Sequence, residues 1–102
     1  MTIIRGTTPT QYFELPCDAT QIKSIRICYT QNEQVVLVKT GDHLCVEGSL
    51  CHWTLTQEDT FALQADAFVT VQLRGLLNTG VVVGTEEYKV YVVDNKDEEV
   101  MV

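Results

Sequence analysis

The sequence predicts an all-β fold, an antiparallel β-sandwich of about seven to nine short strands with one helical turn near residues 57–60. Three observations carry that prediction. Apolar and polar residues alternate with a period of two through most of the apolar stretches. Turn-forming clusters of Gly, Pro, Asn, Asp and Thr recur at the roughly 8–12-residue spacing of sandwich strands. No stretch is patterned as a long helix. The 102 residues suffice for one core, with residues 1–94 as the sandwich and residues 95–102 as an acidic, frayed tail.

The chain starts with a short apolar segment, residues 2–5, which Gly6-Thr7-Thr8-Pro9 interrupts. Pro9 holds Thr8 extended. Residues 11–15 then alternate, with Phe13 and Leu15 inward and Tyr12 and Glu14 outward. A strand kinked in this way pairs first with one sheet and then with the other, and Pro16 closes it. Residues 22–30 form the cleanest strand, with Ile25, Ile27 and Tyr29 inward and Ser24, Arg26 and Cys28 outward. Gln31-Asn32-Glu33 is a turn. In residues 34–39 the period is lost, because Val35, Val36, Leu37 and Val38 are all apolar. That pattern predicts a strand covered on both faces or buried at a subunit contact.

Thr40-Gly41-Asp42 is the next turn, followed by a hairpin of residues 43–46 and 49–55. A two-residue turn at Glu47-Gly48 places Leu44 opposite Cys51 and Val46 opposite Ser49. It keeps Leu44, Val46, Cys51, Trp53 and Leu55 on one face. A three-residue turn, Glu47-Gly48-Ser49, would set Cys45 against Cys51 and turn Leu44, Val46 and Leu50 away from Trp53. The two-residue turn is preferred.

The stretch 50–63 is the centre of the chain. It carries the only Trp on a core strand and then breaks at Thr56, a capping residue followed by Glu58 and Asp59. One turn of helix there passes the chain to the other half of the sandwich. In residues 68–74, Val69, Val71 and Leu73 face in, while Thr70, Gln72 and Arg74 face out. Leu76 to Gly80 turns, with Gly80 left-handed. Val81-Val82-Val83 returns, Gly84-Thr85 marks a bulge or kink, and residues 86–93 are the last strand, with Tyr88, Val90 and Val92 inward. The expected core surrounds Trp53 with Ile25, Ile27, Leu55, Val69, Val71, Leu73, Val90 and Val92.

The charge pattern excludes function classes. Fourteen acidic residues against seven basic ones give a net charge of −7. Nucleic acid is not an expected partner, because Arg5, Lys23, Arg26, Lys39, Arg74, Lys89 and Lys96 are scattered singly along the chain. No apolar run approaches the roughly 18 residues of a membrane helix, so no membrane partner is expected. The first residues lack a signal peptide's apolar segment. The chain is expected to stay in the cell that makes it or to leave inside an assembly, with Cys17, Cys28, Cys45 and Cys51 reduced.

No phosphate loop, nucleophile elbow or HExxH pair occurs. Helix capping accounts for Glu58-Asp59, and Glu86-Glu87 reads as solvated charge at a strand start. The expected register sets His43 opposite His52 with Cys45 on the same face, three residue types that ligate zinc. A fourth ligand and a zinc-type spacing are lacking, so no metal and no cofactor are expected. No cation or helix start in the sequence marks a thiol as reactive, and a Cys45–Cys51 bridge would need the disfavoured register. The chain is therefore not expected to be an enzyme.

Three segments carry a family resemblance: IIRGTTPT at residues 3–10, LTQEDT at residues 55–60 and VQLRGLLNTGVVVGTEEYKVYVV at residues 71–93. Together they resemble small structural proteins of phages and prophages of Gram-positive bacteria, distant relatives of the immunoglobulin-like N-terminal domain of upper-baseplate proteins. The resemblance implies an immunoglobulin-like sandwich that works without catalysis in a virion, as a tail, baseplate or head-decoration component. It implies synthesis in the host cytoplasm and other virion proteins or further copies of the chain as partners. The sheet edges suit such assembly, through Ile3, Ile4, Val36, Val38, Val81 and Val82. Gly6 is placed to let residues 2–5 leave their own sheet and add a strand to a neighbour's. The other reading is a binding module that recognises a protein or a glycan through the loops at one end of the sandwich.

Overall fold

A computed structural model describes residues 2–85 and 87–101. The strands are β1 (Thr2–Ile4), β2 (Thr10–Glu14), β3 (Ile22–Gln31), β4 (Gln34–Thr40), β5 (Cys45–Glu47), β6 (Leu50–Thr54), β7 (Ala67–Leu77), β8 (Val82–Gly84) and β9 (Tyr88–Val93), with one helix, α1 (Gln57–Phe61). They form a β-sandwich. The larger sheet has the order β1-β9-β7-β3-β4, with β8 pairing β7 beyond the start of β9; the smaller has the order β2-β6-β5. β1 lies parallel to β9, and the other pairs are antiparallel. Among the described residues no helix is long and apolar enough to cross a membrane.

The kink at residues 6–9 does what its composition predicts. β1 joins the larger sheet and β2 the smaller, so the N-terminal segment ties the two together. Gly6 is required twice over: its φ is +79°, and a Cβ there would come within 2.6 Å of the Phe61 ring. The kink docks on α1. The buried Thr60 hydroxyl accepts from Gly6 N–H at 2.9 Å and donates to the Thr7 carbonyl at 2.9 Å. Arg5 Nη2 donates to the Phe61 carbonyl at 3.0 Å, with its guanidinium over the ring. Thus IIRGTTPT and LTQEDT, distant in sequence, pack on each other.

α1 begins with a capping box. Thr56 Oγ1 accepts from Asp59 N–H at 3.0 Å, and Asp59 Oδ2 accepts from Thr56 N–H at 2.9 Å. Beyond the helix, Leu63 returns to the core.

The core follows the period-two pattern. Phe13, Leu15, Ile27, Tyr29, Cys51, Trp53, Leu55, Val69, Val71, Leu73, Val90 and Val92 are buried, while Ile25 is only partly covered at its edge. Trp53 stacks on Phe13 at 5.9 Å. A polar relay crosses the middle. Trp53 Nε1 donates to Tyr29 Oη at 2.9 Å, and Tyr29 Oη donates to Gln11 Oε1 at 2.8 Å. Tyr29 belongs to the larger sheet and the other two residues to the smaller, so the relay fixes how the sheets meet.

Three expectations are corrected. The hairpin turns at Gly48-Ser49, not Glu47-Gly48: Glu47 pairs with Leu50, Val46 with Cys51 and Cys45 with His52. This is a slip of two residues, which leaves every side chain on its predicted face because the pleat repeats every two residues. Of the two readings of residues 34–39, coverage on both faces within the chain is the one overturned. β4 is an edge strand, and its register jumps from Tyr29↔Leu37 to Thr30↔Val35, so Val36 is the extra residue of a bulge. Beyond the bulge Lys39 points inward, its Nζ 2.6 Å from Asp59 Oδ2, so the charge lies under the sheet rather than on its rim. Finally, β9 starts at Tyr88; Glu87 is exposed outside it, and Glu86 lies outside the described residues. The tail after Val93 forms no strand, yet Arg5 Nη1 reaches Asp94 at 3.3 Å and Glu98 at 3.1 Å, and Gln57 bonds the backbone of Met101 at both its N–H and its carbonyl.

Candidate functional site

The outward positions of β3 and β7 converge at one end of the larger sheet. Their register sets Arg26 directly opposite Arg74, and Thr40 of β4 lies on the other side of Arg26. Two residue pairs further on is Ser24↔Leu76, beyond which the β3–β7 register shifts, and Lys23 lies at the same end. Lys23, Arg26 and Arg74 line a groove of ≈ 500 Å³ whose apolar wall is Ile25, Leu76 and Val82. Val82 is 61% exposed there. The groove continues through Ser24 and Gly41 into a smaller pocket of ≈ 230 Å³, which reaches Leu44 and Val46 between the sheets.

The electrostatics of this groove are unusual for a chain of net charge −7. Among the described residues the ion pairs are those of Arg5 with Asp94 and Glu98 and of Lys39 with Asp59. Among the described residues no carboxylate lies at that range from the groove's three cations, and no acidic one lines the groove. Two arginines directly opposed on adjacent strands repel each other and destabilise the pair. Two guanidiniums side by side also present parallel N–H donors to one carboxylate or phosphate.

A second surface lies at the opposite end of the same sheet face. Ile4 is 46% and Phe68 58% exposed; half-buried Tyr91 and Val93 connect them, with Phe68 edge-on to Tyr91 at 5.3 Å. Register places Phe68 against Tyr91 and Ile4 against Val93, so the four form one outward apolar patch at the β1 edge.

The sequence-predicted residues fall as follows. Of the edge residues, Ile3 is fully buried in the core and unavailable for contact, while Ile4, Val81 and Val82 are exposed. Val81 precedes β8, and Val36 and Val38 are half-buried on β4. The zinc-type set is split. Cys45 opposes His52, whose other neighbour is Tyr12 with ring centroids 6.0 Å apart, whereas His43 sits in the 3-10 turn before β5. Among the described residues no three His, Cys, Asp or Glu side chains come together to hold a metal ion. The four cysteines are free thiols. Burial, with a smaller contribution from Cys45, pushes the Cys51 thiol up to about 11, so its thiolate is scarce at neutral pH.

The cationic groove was not legible in the sequence. Arg26 and Arg74 each sit at a correctly assigned outward position, but only the pairing of two strands far apart in the chain brings them together. Compared with protein-family models, with curated proteins and with solved structures, the chain matches none.

Proposed function

We propose that this chain is a non-enzymatic structural or accessory protein of a phage virion, a tail, baseplate or head-decoration component that works by binding further copies of itself and other virion proteins. The observation that carries the reading is the outward patch of Ile4, Phe68, Tyr91 and Val93 beside the β1 edge. An apolar surface next to unpaired strand backbone invites a protein partner that covers it. Neither nucleic acid nor a membrane belongs to the reading.

Strand order supports its immunoglobulin-like part. A variable-type immunoglobulin domain runs G-F-C-C′ in one sheet and holds B, E and D together in the other. Here β9-β7-β3-β4 and β2-β6-β5 follow that order, with α1 at the corner between the E and F positions. Two features differ from antibody domains: Trp53 lies on the strand in the E position, and β2 and β7 carry no cysteine.

Mass spectrometry of particles purified from an induced culture of the encoding host tests the proposal. Peptides of this chain are expected to co-sediment with the particles in constant ratio to the major head or tail proteins. A chain recovered only from the particle-free fraction would overturn it.

A further inference from the structure

We infer that the cationic groove receives the acidic segment 97–101 of a second copy of this chain, so that copies join head to tail. The inference rests on the assembly reading above and names the surfaces that would make the contact.

The two surfaces match in order as well as in charge. The segment carries Asp97, Glu98 and Glu99, followed by Val100 and Met101, which are 57% and 74% exposed. The groove offers Lys23, Arg26 and Arg74 beside Ile25, Leu76 and Val82. A carboxylate lodged between Arg26 and Arg74 accepts from both guanidiniums and cancels their repulsion. The neighbouring apolar side chains then have an apolar wall to cover. Charge complementarity of this kind steers association and fixes which ends meet.

The contact forms between copies because the surfaces lie at opposite ends of one copy. β9 ends beside Ala67 of β7, and Arg74 lies seven residues further along that strand, about 23 Å at the rise of a β-strand. Within its own copy the tail is held at the far end by Arg5 and Gln57. The carboxylates of its ion pairs there are exposed, which weakens those pairs and lets the acidic partners exchange. A head-to-tail contact uses two different patches, so repetition produces an open chain or, where the rotation closes, a ring.

A labelled synthetic peptide of residues 94–101, DNKDEEVM, titrated into the native protein and followed by fluorescence anisotropy, tests the contact. Saturable binding is expected. Weakening of at least about tenfold is expected in the Arg26→Gln/Arg74→Gln variant, and again for a peptide with Glu98→Gln and Glu99→Gln. The arginine variant should melt no lower than the parent, because removing an opposed like-charge pair does not destabilise the sheet. Equal binding to parent and variant overturns the inference. Equal binding of a scrambled peptide of the same composition overturns the named occupant, leaving a general anion patch. Light scattering of the same samples separates the two claims. A parent protein that assembles but binds no peptide sinks the groove contact and leaves the assembly reading standing.

Discussion

Trp53, Tyr29 and Gln11 show how single side chains set the geometry of the sandwich. Trp53 supplies bulk at the centre of the core, so Trp53→Ala should cost about 3–5 kcal/mol in a denaturant titration. A variant unfolding at nearly the parent's midpoint would refute that placement. Tyr29→Phe keeps the ring but leaves the Trp53 indole N–H and the Gln11 carbonyl oxygen without their shared hydroxyl, a loss of about 1–3 kcal/mol. Alternation with a period of two made Trp53 and Tyr29 legible as inward residues. Gln11 was not, since a polar residue at the first inward position of a strand has the same local pattern as a solvated strand start.

Lys39 and Asp59 make a second point at this scale. Burial pushes the Asp59 carboxyl up, but the Lys39 ammonium and the Thr56 N–H outweigh it and hold the group below its ordinary value. A carboxyl whose pKa is lower in the folded chain contributes stability above the unfolded pKa of about 4 and loses it as pH falls through the folded value. Thermal melts across the acid range should therefore show a steeper loss below about pH 4 in the parent than in Asp59→Asn. Parallel acid limbs would show that the ion pair contributes nothing. The pair was half legible: the sequence marks Asp59 as a cap, but the inward turn of Lys39 depends on the bulge at Val36.

At the scale of elements, the β5–β6 hairpin and the corner at α1 carry the comparison with the sequence. The apolar face of the hairpin was legible and its register was not, because a slip of two residues changes no side chain's face. Its placement of the thiols is testable. Cys45 should react with an alkylating reagent in the native protein, while Cys51, fully buried, should react only on unfolding. Native Cys51 alkylating as fast as Cys45 would contradict this facing of the two strands. The helical corner was legible because capping chemistry is local. The docking of the Gly6 kink on it was not, since it joins two distant segments through Thr60. Gly6→Ala should cost about 1–3 kcal/mol, from a left-handed backbone and a clash with Phe61. An unchanged melting temperature would remove that role.

At the scale of the molecule, one sheet face is apolar at its β1 end and cationic at its β3–β7 end, and the acidic tail starts from the apolar end. Composition gave only a net charge of −7 with basic residues dispersed along the chain. The segregation comes from long-range pairing, above all β3 with β7, which period-two patterning leaves unspecified. An object with unlike ends and an uncovered apolar patch is suited to joining its own copies. Light scattering at micromolar concentration reads such joining as mass. A mass well above the 11.5 kDa of one chain is expected, falling towards one chain in Ile4→Lys/Phe68→Lys, whose exposed positions leave the core intact. A parent protein that stays at 11.5 kDa at every concentration would contradict it.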